Sequence, residues 1–264
     1  MLTKRISSFG HIVVLLAAVL VLAGCDIVVG GLSGKEVAKD EWTRSYSLAP
    51  DGQVEVVNVN GTIVATPADG PQVEIRAERK AGASSMEAAN DLLKQIEIRE
   101  SATPARVRLE TKAPSGVGRH TQVNYFIKVP KGVSVRLSNT NGAVEVTGLQ
   151  SGVRAETTNG GVTGRDLSGA VEAMTTNGGV QVEVSAVAAG GIKLQTTNGG
   201  VALTLPSAAK ADIEATCVNG GIHVSNLTLD ASEQSRRRLD AKLNGGGPRI
   251  ELETTNGGIK IVGK

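Results

Sequence analysis

The chain has 264 residues, of which 33 are glycine and only five are aromatic (one Trp, two Tyr, two Phe). One residue in eight is glycine, but without a Gly-X-Y period, which excludes collagen, and a 40% hydrophobic share made mostly of Val, Ala, Ile and Leu argues against wholesale disorder. The 28 basic and 26 acidic side chains give a formal charge of only +2, too small a surplus for a nucleic-acid partner, and a core so poor in rings must be built from small aliphatic side chains used many times, which points to a repetitive β protein.

At the N-terminus Lys4 and Arg5 precede an uncharged apolar stretch, Ile12 to Leu22, that ends in Leu22-Ala23-Gly24-Cys25. The run is short for a membrane-spanning helix and has the three-part form of a secretory signal. Its last four residues resemble a bacterial lipobox. That resemblance implies lipid transfer to the Cys25 thiol, cleavage after residue 24 and acylation of the new amine, with palmitate expected among the chains. Two or more acyl chains on one residue anchor stably where one would not. The expected division is a signal peptide over 1–24, an anchor and tether over 25–41, and one domain over 42–264. Because residues 1–24 hold two basic and no acidic side chains, the remainder has 26 of each and is formally neutral. With Cys25 lipidated, Cys217 has no partner for a disulfide.

Trp42–Leu48 reads as an opening strand. A first Asn-Gly unit, VEVVNVNGTIVA from Val54, follows, and then an insert over 66–132. The insert contains VEIRAERK, IEIRES, VRLETK and VNYFIKVP, each alternating as a strand does. It also holds the best helix, Ser84–Gln95, which is expected to open on a Ser84…Glu87 capping box with Met86, Ala89 and Leu93 along one face. Such a helix would blunt a sheet edge.

From Val135 one pattern recurs: VRLSNTNGAVEV, VRAETTNGGVTG, VEAMTTNGGVQV, IKLQTTNGGVAL, IEATCVNGGIHV and IELETTNGGIKI. Its asparagines are Asn141, Asn159, Asn177, Asn198, Asn219 and Asn256, in steps of 18, 18, 21, 21 and 37, with Asn60 in the same role 81 residues earlier. Counting from each asparagine, positions −6, −4 and +3 are aliphatic and −5 and −3 are mostly polar. This is a strand with one wet face. Asn-Gly-Gly then breaks the alternation, because Asn and Gly tolerate the positive φ of a sharp corner. A unit of 18–21 residues is too short for a βαβ crossover. Two all-β architectures fit it, a meander of hairpins and a solenoid in which each unit is one coil. Matching residue classes in every column favour the solenoid, with each coil's valine over that of the previous coil. The −2 column (Asn139, Thr157, Thr175, Thr196, Cys217, Thr254) should face inward and hydrogen-bond from coil to coil, Cys217 serving as a small buried filler. Residues 230–247, with Arg236-Arg237-Arg238, read as a polar insertion with a solvated surface.

The opening Trp strand, the first N-G-x-I coil, "VPKGVSV", the repeated "TTNGGV" and the closing "GGGPRIELETTNGGIKI" together resemble the bacterial putative-adhesin domain family over about Trp42 to Lys264. The resemblance implies a single-domain, all-β, β-solenoid-like fold at the cell envelope. It carries over no catalytic residues.

Motifs for chemistry are sparse. His120 and His223 lack a second ligand at metal spacing, and Gly-x-Ser-x-Gly does not occur. Gly160–Asp166 approaches a calcium nonapeptide once, off by one residue. No catalytic residue, metal or cofactor is expected, and the seven asparagines are expected to be structural corners. Two functions remain. The first is a non-enzymatic, lipid-anchored envelope module that binds a glycan or protein, at the periplasmic face or the cell surface. The second is a polysaccharide-active β-helix enzyme, which would need convergent, unpaired acids from columns such as Glu172, Glu214 and Glu251.

Overall fold

A computed structural model describes residues 35–114 and 120–264. The signal segment, Cys25 and most of the expected tether lie outside these residues.

Each repeat forms one coil of two short strands joined at the Asn-Gly corner. Coil I is Gln53–Val57 and Ile63–Pro67, coil II Ser134–Asn141 and Val144–Thr147, and coil III Val153–Asn159 and Val162–Leu167. Coil IV is Val171–Asn177 and Val180–Val184, and coil V is Ile192–Asn198 and Val201–Leu205. Coil VI is Ala211–Asn219 and Ile222–Ser225, and coil VII is Arg249–Asn256 and Ile259–Gly263. First strands stack in parallel into one sheet and second strands into another, so the molecule is a β-solenoid whose two sheets face each other across an aliphatic core. The repeat columns are in register: Val54, Val135, Val153, Val171 and Ile192 pair in succession. The −6 and −4 side chains of coils II to VII are at most 4% exposed. No single coil can bury its apolar face alone, and the neighbours supply both the ladder bonds and the other half of the core.

The stacking order departs from the chain order at one place. Ile250 of coil VII pairs with Ile192 of coil V on one side and with Ile213 of coil VI on the other. The second strands agree, since Ile259 lies between Val201 and Ile222. The spatial order is therefore I–II–III–IV–V–VII–VI, and the last segment of the chain is an interior rung. Coil VI shows the marks of a terminal coil: Ile222 is only partly buried and Val218 is 53% exposed.

The polar insertion is a second departure. Residues 229–243 form an antiparallel hairpin, Leu229–Gln234 and Arg238–Leu243, whose second strand pairs with Ala211–Thr216 of coil VI. Leu239, Ala241 and Leu243 are at most 2% exposed and continue the core, while Arg238, Asp240 and Lys242 face out. The alternation was present in the sequence and was masked by the charged half of each pair. Arg236 and Arg237 sit exposed in the turn.

At the opposite end the insert closes the stack. Arg106–Lys112 pairs in parallel with coil I, and Glu97–Ala102 forms the antiparallel edge of that sheet. The other sheet continues through Thr121–Val129 and Gln72–Ala83 to Glu36–Ser47 at its edge. The opening strand thus begins at Glu36, six residues before Trp42. Tyr46 Oη donates to Glu100 Oε2 at 2.8 Å and Arg44 Nε lies 3.4 Å from the same carboxylate, which ties the two sheet edges together. The helix, Met86–Lys94, packs on Glu36–Ser47 and Gln72–Ala83. Its cap is Ser85, whose hydroxyl accepts from Ala88 N, so the Ser84 box is displaced by one residue. Ala89 and Leu93 are buried as the stripe predicts, but Met86, the first residue of the helix, is 46% exposed.

Deleting Arg249–Lys264 tests the order of coils. Because this removes an interior rung, coil VI and its hairpin should lose their support, and limited proteolysis should cleave throughout residues 206–248. A truncated chain resistant through Leu243 would mean that coil VI can stack directly on coil V.

Candidate functional site

The corner is built on a close approach that only glycine permits. A Cβ on Gly160, Gly178, Gly199 or Gly257 would fall 1.9–2.2 Å from the carbonyl oxygen of the equivalent glycine one coil away. At the second glycine the space is ordinary, 3.5 Å at Gly179, and Ala143 and Thr62 occupy that position in coils II and I. None of the seven corner asparagines has positive φ; the first glycines do, at +122° to +157° in coils I to V and VII. Asparagine is present for its amide instead.

Two hydrogen-bond columns run along the stack beside these glycines. In the −2 column Thr157, Thr175, Thr196 and Thr254 donate their hydroxyls to Gly142, Gly160, Gly178 and Gly199 O at 2.8–3.0 Å. Asn139 does the same with its amide to Gly61 O at 2.7 Å. The inward column therefore bonds to glycine carbonyls rather than from threonine to threonine. Cys217 is 2% exposed, with its sulfur 3.9 Å from Arg236 O.

The second column joins all seven corner asparagines. Asn141 Nδ2 donates to Asn60 Oδ1, Asn159 to Asn141, Asn177 to Asn159, Asn198 to Asn177, Asn256 to Asn198 and Asn219 to Asn256, every bond 2.8–2.9 Å. The ladder follows the spatial order of coils, VII before VI. Asn141 to Asn256 are solvent-exposed, so each bond is individually modest, on the order of 1 kcal/mol or less. The series fixes register.

Next to the ladder, position −1 carries Thr140, Thr158, Thr176, Thr197 and Thr255 on five consecutive rungs, all exposed. Among the described residues none of these five hydroxyls has a hydrogen-bond partner within the chain. The last four border an open groove of about 580 Å³ along the stack axis, whose other wall is the −3 column with Ser138, Glu156, Met174, Gln195 and Glu253. Apolar contact there is limited to Met174 and, at the outer end, Val218. Sequence reading singled out the asparagines and passed over this threonine row, although every "TTNGG" advertises it.

Beyond −3 the charges of the same face pair with each other. Arg154 bonds Glu172 and Glu156, Lys193 Nζ lies 2.8 Å from Glu251 Oε1, and Arg249 Nη2 lies 2.7 Å from Glu214 Oε2. The hydrogen bond from Lys193 to Glu251 raises the lysine pKa, and that from Arg154 to Glu156 raises the arginine's, so both stay charged. Glu172, Glu214 and Glu251, the acids a glycan-cleaving site would need, are thus each in an ion pair. Away from this face Tyr125, buried with its hydroxyl 2.8 Å from Thr111 Oγ1, is pushed up to about 12, chiefly by burial. Among the described residues no three His, Cys, Asp or Glu side chains cluster as a metal site would require, and Asp166 of the calcium-like segment sits exposed at a bulge with φ +52°.

This architecture, a two-sheet β-solenoid with an amide ladder at its corners, defines a class of repeat domain. The chain belongs to the Toastrack DUF4097 family, whose model matches residues 51–262. Similar solved structures include a putative cell adhesion protein from Clostridium sporogenes (13% identity, 85% of this chain and 100% of that one, TM-score 0.42). A putative adhesin from Bacteroides fragilis is similar at 12% identity (88% and 98% covered, TM-score 0.34), as is a putative lipid binding protein from Parabacteroides distasonis at 11% (84% and 96%, TM-score 0.30). No curated protein matches the chain.

The two corner glycines should respond very differently to the same methyl group. Gly178→Ala places Cβ 2.0 Å from Gly160 O and should cost about 3 kcal/mol or more. Gly179→Ala should stay within about 1 kcal/mol in the same urea titration. Equal losses would show that the carbonyl approach does not control the corner.

Proposed function

We propose that this protein is a non-enzymatic envelope lipoprotein, held at the membrane by lipid on Cys25, that presents the threonine–asparagine face of its solenoid to an envelope glycan or envelope protein. The observation that carries this reading is the row of five unpartnered threonine hydroxyls on a face whose charges are paired. Hydroxyls and amides recognise uncharged, hydrogen-bonding partners, with a neutral glycan the best chemical match. Each rung repeats the same groups about 4.8 Å further on, so an extended partner can make one weak contact several times over. Lys4, Arg5, the apolar stretch and the Leu22–Cys25 tetrapeptide support export and lipidation. Glu36 is 11 residues after Cys25, which limits the tether to roughly 40 Å.

Two measurements test the halves of this reading. Cys25→Ala should abolish incorporation of labelled palmitate and release the chain from the membrane fraction; continued labelling would refute the anchor. For the face, the lipid-free Asp26–Lys264 chain is passed over purified envelope glycans and membrane proteins beside a Thr158→Lys, Thr176→Glu, Thr197→Lys variant with unchanged thermal unfolding. The unaltered chain should retain a partner that the variant loses. No retained partner, or equal retention by both, would overturn the assignment of this face.

A further inference from the structure

Asparagine followed by glycine is the dipeptide most prone to spontaneous deamidation. The glycine nitrogen, after losing its proton to base, attacks the asparagine side-chain carbon. A C–N bond closes a five-membered succinimide and ammonia leaves. Water then opens the ring to aspartate or isoaspartate. The reaction needs a glycine N–H accessible to base and an asparagine amide free to swing onto it.

The chain contains eight such pairs, the seven corners and Asn244-Gly245. In six corners both requirements are blocked. Gly61, Gly142, Gly160, Gly178, Gly199 and Gly257 donate their N–H to the main-chain carbonyl of the asparagine one coil further along the stack, at 2.8–3.0 Å. The asparagine of each of these pairs also takes part in the amide ladder. Coil VI is the last coil of the stack, so this protection ends there. Among the described residues the Gly220 N–H has no hydrogen-bond partner, and the Asn219 side chain is tied only by its donation to Asn256 Oδ1 at 2.9 Å. The eighth pair, at the turn after the hairpin, is intermediate. The Gly245 N–H is likewise without a partner, but Asn244 Nδ2 donates to both Ser207 O at 2.9 Å and Ala209 O at 2.7 Å.

We propose that deamidation of the folded protein is confined to the coil VI end of the stack, first at Asn219 and more slowly at Asn244, and that the coil-to-coil bonds keep the other six pairs inert. Conversion at Asn219 replaces an amide donor with a carboxylate near Arg236, whose side chain approaches Gly221. No rung lies beyond it to be disturbed. The face thus gains a negative charge at one end as the protein ages, while the stacked rungs keep their amides.

The test is peptide mapping of the full chain, purified in detergent and incubated at mildly alkaline pH, against the same chain unfolded in urea. Trypsin places each of the eight pairs in a different peptide, so eight rates are read from one digest by mass spectrometry. In the folded chain the Asn219 peptide should convert fastest and the Asn244 peptide second, both on the order of tenfold or more above the remaining six, the scale set by local opening of a hydrogen-bonded segment. In urea all eight should convert at comparable rates. A flat profile in the folded chain, a stacked pair converting first, or an inert Asn219 in a chain whose unfolded form reacts would each overturn the proposal.

Discussion

The contact on which the structure depends is the approach of one glycine to the carbonyl of the equivalent glycine on the next coil. At about 2 Å from a would-be Cβ, it admits no side chain. With backbones this close, a threonine two residues before the asparagine reaches the same carbonyl with its hydroxyl, and the asparagine amides fall within bonding distance of one another. One steric condition therefore sets two hydrogen-bond columns. The aliphatic core holds the sheets together, but its valines and isoleucines would pack nearly as well with a coil slipped by two residues. The corner would not, because such a slip sets a side chain against a carbonyl. Packing supplies the bulk of the stability and the corner supplies the register.

The exchange of coils VI and VII follows from what each can offer a neighbour. Coil VII has the full Thr-Thr-Asn-Gly-Gly sequence and can serve neighbours on both sides, and it sits between two. Coil VI reads Thr-Cys-Val-Asn-Gly-Gly. Its Cys217 hardly substitutes for a threonine hydroxyl, and its Val218 interrupts the outward threonine row. A coil with these substitutions costs least at the end, where one neighbour is absent. The hairpin that follows covers the exposed edge of its first strand and supplies Leu239, Ala241 and Leu243 to the core, so the stack is closed at that edge by antiparallel strands carrying charge outward. The coil I end is closed in the same manner by different residues. Protected ends of this type separate a finite solenoid from an open-ended fibre.

Much of this was legible in the sequence because parallel stacking makes equal positions contact each other, which turns composition by column into geometry. The −6, −4 and +3 positions, the inward −2 column and the place of Asn60 ahead of Asn141 could all be read in that way. The step of 37 residues before Asn256 could not be resolved, since register along a column says which residues align and not in what order coils are threaded. The charged residues of the 238–243 strand concealed its alternation, and the helix cap differed by one because Ser84 and Ser85 are both competent and the sheet decides where the helix must start. None of the asparagines at the corners has the positive φ expected of it. An amide ladder at a corner shows in the sequence only as an invariant letter, and positive φ would have left the same trace.

The same economy bears on what the face can do. Every hydrogen-bonding side chain at −2 and at the corner is committed to holding coils together, and the charged side chains at −5 are each held in an ion pair. What remains outward and uncommitted is the threonine row with its groove. A surface of single hydroxyls binds weakly at any one rung, because each gain competes with water at nearly equal strength. Its advantage lies in rigid repetition. Five hydroxyls fixed on adjacent strands lose little freedom when a partner aligns with them, so small contacts add without the ordering cost that flexible side chains would impose. The glycine contact that fixes the stack therefore also fixes the spacing of these hydroxyls, and under the proposed reading a partner with a matching repeat is the one that can exploit it.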